Sequence, residues 1–322
     1  MFFPLKKKKR LSFFPGEQKL DLLSQQFIYE EFYGFLKDPF DSQPDPGLIY
    51  LTGNVREVWN SMLSGIVQRK GFFLLTGERG IGKTTLVSLI YLYLATNGRR
   101  VKVVPLFDSH HRVEEILQTF LQGLGFSPEG ESKGSMLRRL DVDLAQRSAR
   151  GETVALIIDE AQNLGNEILE EIRLFANPNP KYPRLLQEIF IGDPQFEKKL
   201  RSGDLSLLNQ RIEVRCRLRP FTPAESLGYI KHRLSRAGGT TSRVFTPMAL
   251  SLVIQACRGN PWTLNRVCQE AFAAGYTQRK KRIDSVNVRN ALINLGMEKE
   301  RGWLLSPKSL PWFKKHLRKP SP

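Results

Sequence analysis

The sequence predicts an α/β protein: a five-stranded, mostly parallel sheet covered by helices on both faces, followed by a smaller all-helical unit. Three observations carry this prediction. Short apolar runs recur between helical segments, which is typical of a doubly wound parallel sheet. A glycine-rich loop joins the first of these runs to a helix. Strand signals stop after Pro220, and only helical patterns follow.

The first strand and its neighbouring helices have the clearest pattern. Residues 54–68 place apolar side chains near one face of a helix. Residues 72–76 form a short apolar run closed by Gly77, which predicts a buried strand leading into a turn. From residue 83 to residue 96 the apolar pattern is helical again.

The remaining elements follow from the same patterns. Strands are predicted over residues 101–107, 154–158, 188–191 and 215–218, with helical segments between most of them. Helices of the second unit are predicted over residues 224–236, 247–257, 264–279 and 285–295.

Composition excludes several classes of protein. Cys216, Cys257 and Cys268 lack C-x-x-C spacing, which argues against a disulfide framework and a structural metal site. The apolar stretches are far shorter than the roughly 18 residues of a membrane-spanning helix. The first fifteen residues lack the apolar region of a secretory signal. We therefore expect a cytoplasmic protein.

The net charge of +17 is concentrated at the two ends of the chain. Residues 1–10 carry five basic and no acidic side chains, and residues 279–322 carry twelve basic and three acidic ones. The body between them has 32 basic and 29 acidic groups. Basic ends suit anionic partners such as DNA or a membrane surface, and they equally suit solvated arms.

The glycine-rich loop predicts a phosphate site. Residues 77–84 fit the pattern G-x-x-x-x-G-K-[ST] between a strand and a helix, as the Walker A motif requires. Backbone N–H groups of such a loop wrap a phosphate chain, while the lysine reaches the β and γ phosphates and the hydroxyl binds Mg²⁺. The residues expected to bind ATP are Gly77, Glu78, Arg79, Gly80, Ile81, Gly82, Lys83, Thr84 and Thr85.

Two adjacent acids predict the hydrolytic groups. Asp159 and Glu160 directly follow the apolar run 154–158, which places them at the carboxyl edge of the sheet, in the position of a Walker B motif. If strand alternation continues through them, the two side chains point to opposite sides. We therefore expect Asp159 to bind Mg²⁺ together with Thr84, and Glu160 to act on the attacking water.

With these motifs the chain resembles the AAA+ ATPases of the ExeA/GspA (general secretion pathway protein A) type. The resemblance spans about residues 30 to 295 in seven ordered blocks. They are FYGFLKDPF, PDPGLIYLT, LLTGERGIGKTTL, LIIDEAQNL, LLQEIFIGDPQF, LNQRIEVRCRLRPFTPAESLGYIKHRL and GNPWTLNRVC. It implies a three-layer P-loop NTPase (AAA+) fold with a small all-α lid, ATP and Mg²⁺ as cofactors, and a homo-oligomer.

The resemblance also implies a division of the chain and one more site residue. Residues 1–45 would be a basic and aromatic segment packed against the next domain. The nucleotide-binding domain would span residues 46–219, the helical lid 220–296 and a basic tail 297–322. Arg211 matches the arginine finger that one subunit inserts into the ATP site of its neighbour, although its residue type alone would suit a surface arginine.

The chain departs from similar proteins at two positions. Asp193 stands where a polar sensor, usually glutamine, follows the fourth strand. Its extra negative charge near the γ-phosphate predicts either slow hydrolysis or an aspartate that acts through the metal or a water molecule. In the lid, Trp262 replaces the second sensor arginine, and the core is the simplest place for its indole. Arg266 lies one turn further on the same helical face and could substitute for the missing arginine.

Two functions fit these residues. The first is an ATPase serving secretion or surface-structure assembly at the inner membrane face. Its partner would be an anionic leaflet, bound by Lys6–Lys9 and the nearby phenylalanines, or membrane-embedded secretion components. The second is an ATP-dependent, DNA-binding regulator resembling MuB and TnsC. In that case residues 279–282 and the tail would contact phosphates without reading the base sequence.

Overall fold

A computed structural model describes residues 29–42, 46–96, 100–106, 112–175 and 186–297. Within these ranges the sheet strands are β1 Phe72–Thr76, β2 Val101–Leu106, β3 Thr153–Ile158, β4 Leu186–Gly192 and β5 Ile212–Arg217. The helices that accompany the sheet are α1 Gly53–Val67, α2 Lys83–Thr96, α3 Val113–Leu124, α4 Lys133–Ala149, α5 Asn166–Phe175, α6 Pro194–Leu200 and α7 Ser206–Arg211. The helical unit contains α8 Pro223–Arg236, α9 Thr241–Val244, α10 Pro247–Cys257, α11 Pro261–Thr277 and α12 Ser285–Asn294.

The five strands form one parallel sheet in the order β2-β3-β4-β1-β5. The three inner strands are buried along their whole length, whereas the two edge strands alternate between buried and exposed residues. This difference is expected because only the inner strands are covered on both faces and both edges. The predicted five-stranded α/β fold is confirmed, and all carboxyl ends lie along one edge.

Helices cover both faces of this sheet. In β1, Phe73 and Leu75 join a core with α1 and α2, while Phe72 and Leu74 join a core with α3, α4 and α5. Successive strand residues point to opposite faces, so one short strand contributes to both cores. The result is a three-layer domain whose carboxyl edge is open between the helix layers.

The last strand starts earlier than its apolar pattern indicates. The sequence predicted residues 215–218, but β5 extends from Ile212 to Arg217. Its residues Glu213, Arg215 and Arg217 are charged and reach solvent because β5 is an edge strand. Only every second residue of β5 is therefore apolar, and so short an alternating pattern does not indicate the residue at which the strand begins.

The N-terminal residues 29–40 complete the core of the helical unit. Tyr33, Phe35 and Phe40 are buried, with ring centroids 5.1, 5.3 and 5.8 Å from the ring of Phe272 on α11. For residues 29–40, the expectation of packing against the following domain was therefore wrong. Their aromatic side chains fill the space between α8, α10, α11 and α12, which four short helices leave open. Residues 1–28 lie outside the described part of the chain.

The connection between sheet and helical unit is held by backbone contacts. Asn54 at the start of α1 donates to the carbonyl of Arg217 at 3.2 Å and accepts from the N–H of Arg219 at 3.0 Å. Phe221 N–H donates to the Gly259 carbonyl at 2.9 Å. Gly259 has φ +77°, and a Cβ there would lie 2.0 Å from the Phe221 oxygen, so only glycine fits. The division of the chain into domains stays a prediction.

The basic run 279–282 belongs to the turn between α11 and α12. Lys280 forms an ion pair with Asp284 at 2.7 Å, Lys281 donates to the carbonyl of Phe32, and Arg282 donates to the carbonyl of Phe245 at 3.2 Å. Ile283 follows in the buried core. The run therefore has a structural role that its charge pattern did not indicate. The tail from residue 298 lies outside the described residues.

Candidate nucleotide-binding site

The glycine-rich loop lies at the open carboxyl edge, between β1 and α2. Gly80 and Gly82 have φ of +74° and +96°, in the left-handed region that glycine adopts without strain. Lys83 is buried, and its ammonium donates to the carbonyls of Gly77 at 2.9 Å and Glu78 at 3.1 Å. These bonds fold the lysine back over the loop, where the amino end of α2 favours an anion.

The charges around Lys83 are predominantly acidic. Burial lowers the pKa of its ammonium below the ordinary value, and three nearby carboxylates offset only part of this effect. They belong to Glu160, Asp159 and Asp193, in decreasing order of influence. The structure thus brings together the loop lysine and all three acids that the sequence singled out. A cation bound beside them would compensate this excess of negative charge.

Thr84 and Asp159 provide the oxygen ligands for such a cation. The Thr84 hydroxyl donates to a carboxylate oxygen of Asp159 at 2.6 Å, across 75 residues of sequence. Mg²⁺ prefers oxygen ligands, and it binds to one or two protein groups plus phosphates and water. These two side chains therefore fit the metal that the loop pattern implies, because both oxygens can face one ion.

Glu160 is separated from Asp159 by a turn rather than by strand alternation. β3 ends at Ile158, and Glu160 has φ 49° and ψ 39°, a left-handed conformation uncommon for a residue with a side chain. Its N–H donates to the Asp159 carboxylate at 2.8 Å, and its carboxylate accepts from Gln162. Strand alternation therefore does not set the directions of these two side chains, and their division of roles stays a prediction.

Asp193 has a local task that the sequence analysis missed. Directly after β4, its carboxylate caps α6 by accepting from the N–H groups of Gln195 at 2.8 Å and Phe196 at 3.2 Å. The signal for this cap was the sequence Asp-Pro, since aspartate is a preferred N-cap and proline suits the first helical position. Its role as a sensor stays a prediction.

Arg211 lies at the opposite edge of the sheet. It ends α7, directly before β5, and its guanidinium lies 5.8 Å from the ring centroid of Phe72 at the start of β1. From Phe72 to the loop, β1 advances about 13 Å. The Nη1 atom is buried, with no hydrogen-bond partner among the described residues. Arg211 is thus remote from the nucleotide site of its own chain.

An open cleft of about 770 Å³ extends from the loop toward the helical unit. Its apolar lining includes Leu48, Ile49, Tyr50, Phe221, Tyr229 and Trp262. Small-molecule sites are commonly about 300–1,000 Å³ and largely apolar. The cleft has room for a nucleoside beyond the phosphate loop. Apart from Trp262, which the sequence placed at a sensor position, sequence reasoning missed these residues, since they come from three distant segments.

The first turn of α11 touches the phosphate loop. Asn260 donates to the carbonyl of Arg79 at 2.8 Å, and the N–H of Trp262 donates to the carbonyl of Gly80 at 3.2 Å. The Trp262 side chain is 54% exposed, so the expected core position was wrong. Arg266 is exposed, and its guanidinium lies 5.5 Å from the Trp262 ring centroid. Arg266 therefore stacks on the indole of Trp262, the residue that stands where similar proteins have the second sensor arginine.

The sequence of this chain is similar to the sequences of known proteins. Residues 66–200 match the family described as "AAA domain". The chain is 29% identical over 257 residues to general secretion pathway protein A of Aeromonas hydrophila, covering 80% of this chain and 46% of that one. It is also 31% identical over 131 residues to ATP-dependent target DNA activator B of Escherichia phage Mu, covering 41% and 39%. The chain spans less than half the length of these curated relatives.

Solved structures share the fold at low sequence identity. Cdc6p from Pyrobaculum aerophilum superimposes with a TM-score of 0.65 at 18% identity, covering 81% of this chain and 71% of that one. The Drosophila ORC bound to DNA gives 0.62 at 17% identity, covering 90% and 70%. These likenesses bear on the fold alone. Residues 66–200 are therefore similar to the AAA domain family, the fold is the one shared with these solved structures, and the chain is similar in sequence to general secretion pathway protein A.

Proposed function

We propose that this protein binds ATP with Mg²⁺ and hydrolyses it. The observation that carries the proposal is the meeting of Lys83, the Thr84–Asp159 pair and Glu160 at one sheet edge. Phosphoryl transfer requires positioning and compensation of negative charge more than covalent chemistry. This edge offers a cation, two ligands for a metal, and a carboxylate beside the position that a terminal phosphate would occupy.

Each side chain has a distinct part in this proposal. The loop N–H groups and Lys83 bind the phosphate chain, and Lys83 exchanges its carbonyl partners for phosphate oxygens. Bound Mg²⁺ would supply charge compensation on the β and γ phosphates. Glu160 orients the attacking water and accepts its proton. The apolar cleft beside Tyr50 and Tyr229 takes the adenine.

We further propose that hydrolysis depends on assembly, with Arg211 acting in the site of a neighbouring copy. An arginine at the amino edge of its own sheet cannot reach its own carboxyl edge. Arg211 is partly exposed, and its guanidinium lies against Phe72 with Nη1 buried, so reaching a phosphate oxygen of a neighbouring copy requires the side chain to turn away from that ring. An arginine supplied in trans typically raises phosphoryl-transfer rates about 10³- to 10⁵-fold.

Arg211→Ala is expected to leave ATP affinity unchanged and to lower turnover about 10³-fold, because the charge acts only on the transition state of a neighbour. Turnover is measured as phosphate release at a protein concentration that saturates assembly. Exposed Arg201 is the matched control, since Arg201→Ala removes the same charge outside this contact.

Mixing variants tests the trans arrangement directly. We expect Arg211→Ala and Lys83→Ala each to be inactive alone. In a mixed assembly, the intact loop of the Arg211→Ala chain can meet the intact arginine of a neighbouring Lys83→Ala chain. We expect activity to reappear in the mixture. If Arg211→Ala alone kept normal turnover, or if the mixture stayed inactive while still assembling, the trans role would be wrong.

For the cellular role we propose secretion or surface-structure assembly at the inner membrane face, with the protein cytoplasmic or peripheral on that membrane. The similarity to general secretion pathway protein A over 80% of this chain supports it. Within the described residues, no helix is both long and apolar enough to cross a membrane. In this role, basic residues such as Lys6–Lys9 would contact the anionic leaflet, or a membrane-embedded partner would hold the protein there.

A DNA-binding regulator is the second candidate, favoured by the similarity to ATP-dependent target DNA activator B. The structure changes which basic residues suit this role. Lys280, Lys281 and Arg282 already make internal contacts, so the tail residues Lys314, Lys315, Arg318 and Lys319 are the better candidates for phosphate contacts.

Substitutions in the full chain separate the two candidates. Removing residues 279–322 would be a poor experiment, because it deletes α12 and buried Ile283 from the core of the helical unit. Instead, Lys6–Lys9 or the four tail residues are changed to glutamine. Binding to duplex DNA and to vesicles of anionic lipid is then measured across a salt series. Loss of vesicle binding in the first variant supports the membrane role, and loss of DNA binding in the second supports the regulator. If wild type binds neither, both charge-based roles are wrong.

A further inference from the structure

Gln162 connects two residues of the candidate site. Its amide oxygen accepts from the backbone N–H of Asp193 at 3.2 Å, and its amide nitrogen donates to the carboxylate of Glu160. The orientation of the amide follows from its partners. A backbone N–H can only donate and an ionised carboxylate can only accept, so the oxygen must face Asp193 and the NH₂ group must face Glu160.

Gln162 is itself held in place from several directions. It lies half-buried in the 3₁₀ turn Ala161–Asn163, and its backbone carbonyl accepts from Lys199 of α6 at 3.3 Å. Asp193, which binds its side chain, also caps α6. Gln162 is therefore connected through its side-chain amide to the end of β4 and the start of α6, and through its backbone carbonyl to Lys199 in the last turn of α6. Such a support is rigid because each link joins packed secondary structure.

The Glu160 side chain needs this support. Its backbone is fixed by the left-handed turn, but a glutamate side chain retains rotamer freedom, and holding it in one position costs conformational entropy. Lys83, across the loop, attracts the same carboxylate, as does any cation bound by Asp159. The hydrogen bond from Gln162 fixes one end of this carboxylate and so limits how far the side chain can move toward these cations.

We propose that Gln162 is a positioning residue that holds Glu160 where it can orient the attacking water, and that it links this carboxylate to the end of β4. The inference rests on the proposed hydrolysis. Gln162 acts through Glu160, so its removal should affect the rate of the chemical step and not the binding of ATP. A displacement of about 1 Å in a reacting group can reduce a rate about 10²-fold.

The test measures kcat, KM and ATP affinity of the full chain for Gln162→Leu, which keeps the size but removes the amide. We expect kcat to fall about tenfold to hundredfold, with KM and affinity within about twofold of wild type. Gln162→Asn, whose shorter side chain cannot reach both partners, should lower kcat in the same way. This variant replaces Gln162→Leu in the test if the leucine variant does not fold. Exposed Asn163 in the same turn is the control, and Asn163→Ala should keep normal kcat.

A double-mutant cycle separates positioning from a general structural role. In the Glu160→Gln background, Gln162→Leu should change the residual rate by less than about twofold, because the group it positions is already gone. A further drop as large as in wild type, or an unchanged kcat in Gln162→Leu alone, would overturn the inference while leaving hydrolysis intact. If wild type binds MgATP without turning it over, the proposed function fails, and this inference fails with it.

Discussion

Lys83→Ala is expected to weaken the binding of MgATP at least about 100-fold. The ammonium lies buried over the loop, bonded to two carbonyls at 2.9 and 3.1 Å. A hydrogen bond to a charged group contributes about 1.5–3 kcal/mol, and about 2.7 kcal/mol corresponds to a hundredfold change in affinity. The variant also leaves the acidic cluster without its cation, which opposes the approach of a polyphosphate.

A fluorescent ATP analogue titrated into both proteins measures this effect. Lys70→Ala is the matched control, because Lys70 lies just before β1 at the other edge of the sheet, where it pairs with Glu213 at 3.9 Å. Thermal unfolding of each variant verifies that the fold is kept. Equal affinity of Lys83→Ala and wild type would show that the loop does not bind phosphate.

Glu160→Gln is expected to bind ATP as tightly as wild type while its turnover falls about 10²- to 10⁴-fold. Glutamine keeps the shape of the side chain but cannot accept a proton, and a positioned general base contributes a factor of that size. ATP binding is preserved because the loop, Lys83 and Asp159 are untouched. Removing a negative charge near the γ-phosphate favours binding if it has any effect.

Turnover of this variant is compared with its affinity for ATP in the same preparation. Asn163→Ala, three residues further along the same turn, controls for local disturbance. Turnover in Glu160→Gln at the wild-type rate would assign the activation of water to another group. Joint loss of binding and turnover would instead indicate a structural role for Glu160.

The elements around the phosphate loop could be predicted from the sequence with their bounds. β1 and α2 occupy residues 72–76 and 83–96, as predicted, because a buried inner strand and an apolar helix both leave uninterrupted patterns. Lys83, Thr84, Asp159 and Glu160 meet because parallel strands end at one edge, which is a property of the fold class. The local apolar pattern and the topology of a parallel sheet were therefore sufficient to predict these elements and the meeting of these four residues.

The relation of distant segments could not be predicted in the same way. Tyr33 and Phe272 pack together across 239 residues of sequence. The spacing of apolar residues does not indicate which hydrophobic core an aromatic segment joins. The exposure of Trp262 depends on α11 reaching over the loop, which helical spacing does not reveal. The apolar cleft likewise depends on how residues 48–50 meet α8 and α11.

We propose that the phosphate loop, Asp159 and Glu160 form one hydrolytic, metal-dependent site. Single-turnover hydrolysis of ATP already bound to a concentrated sample of the wild-type chain tests it most directly. On addition of Mg²⁺, bound ATP should convert to ADP and phosphate in wild type and stay intact in Glu160→Gln. ATP that remains intact in wild type, or that disappears equally fast in both proteins, would contradict the account.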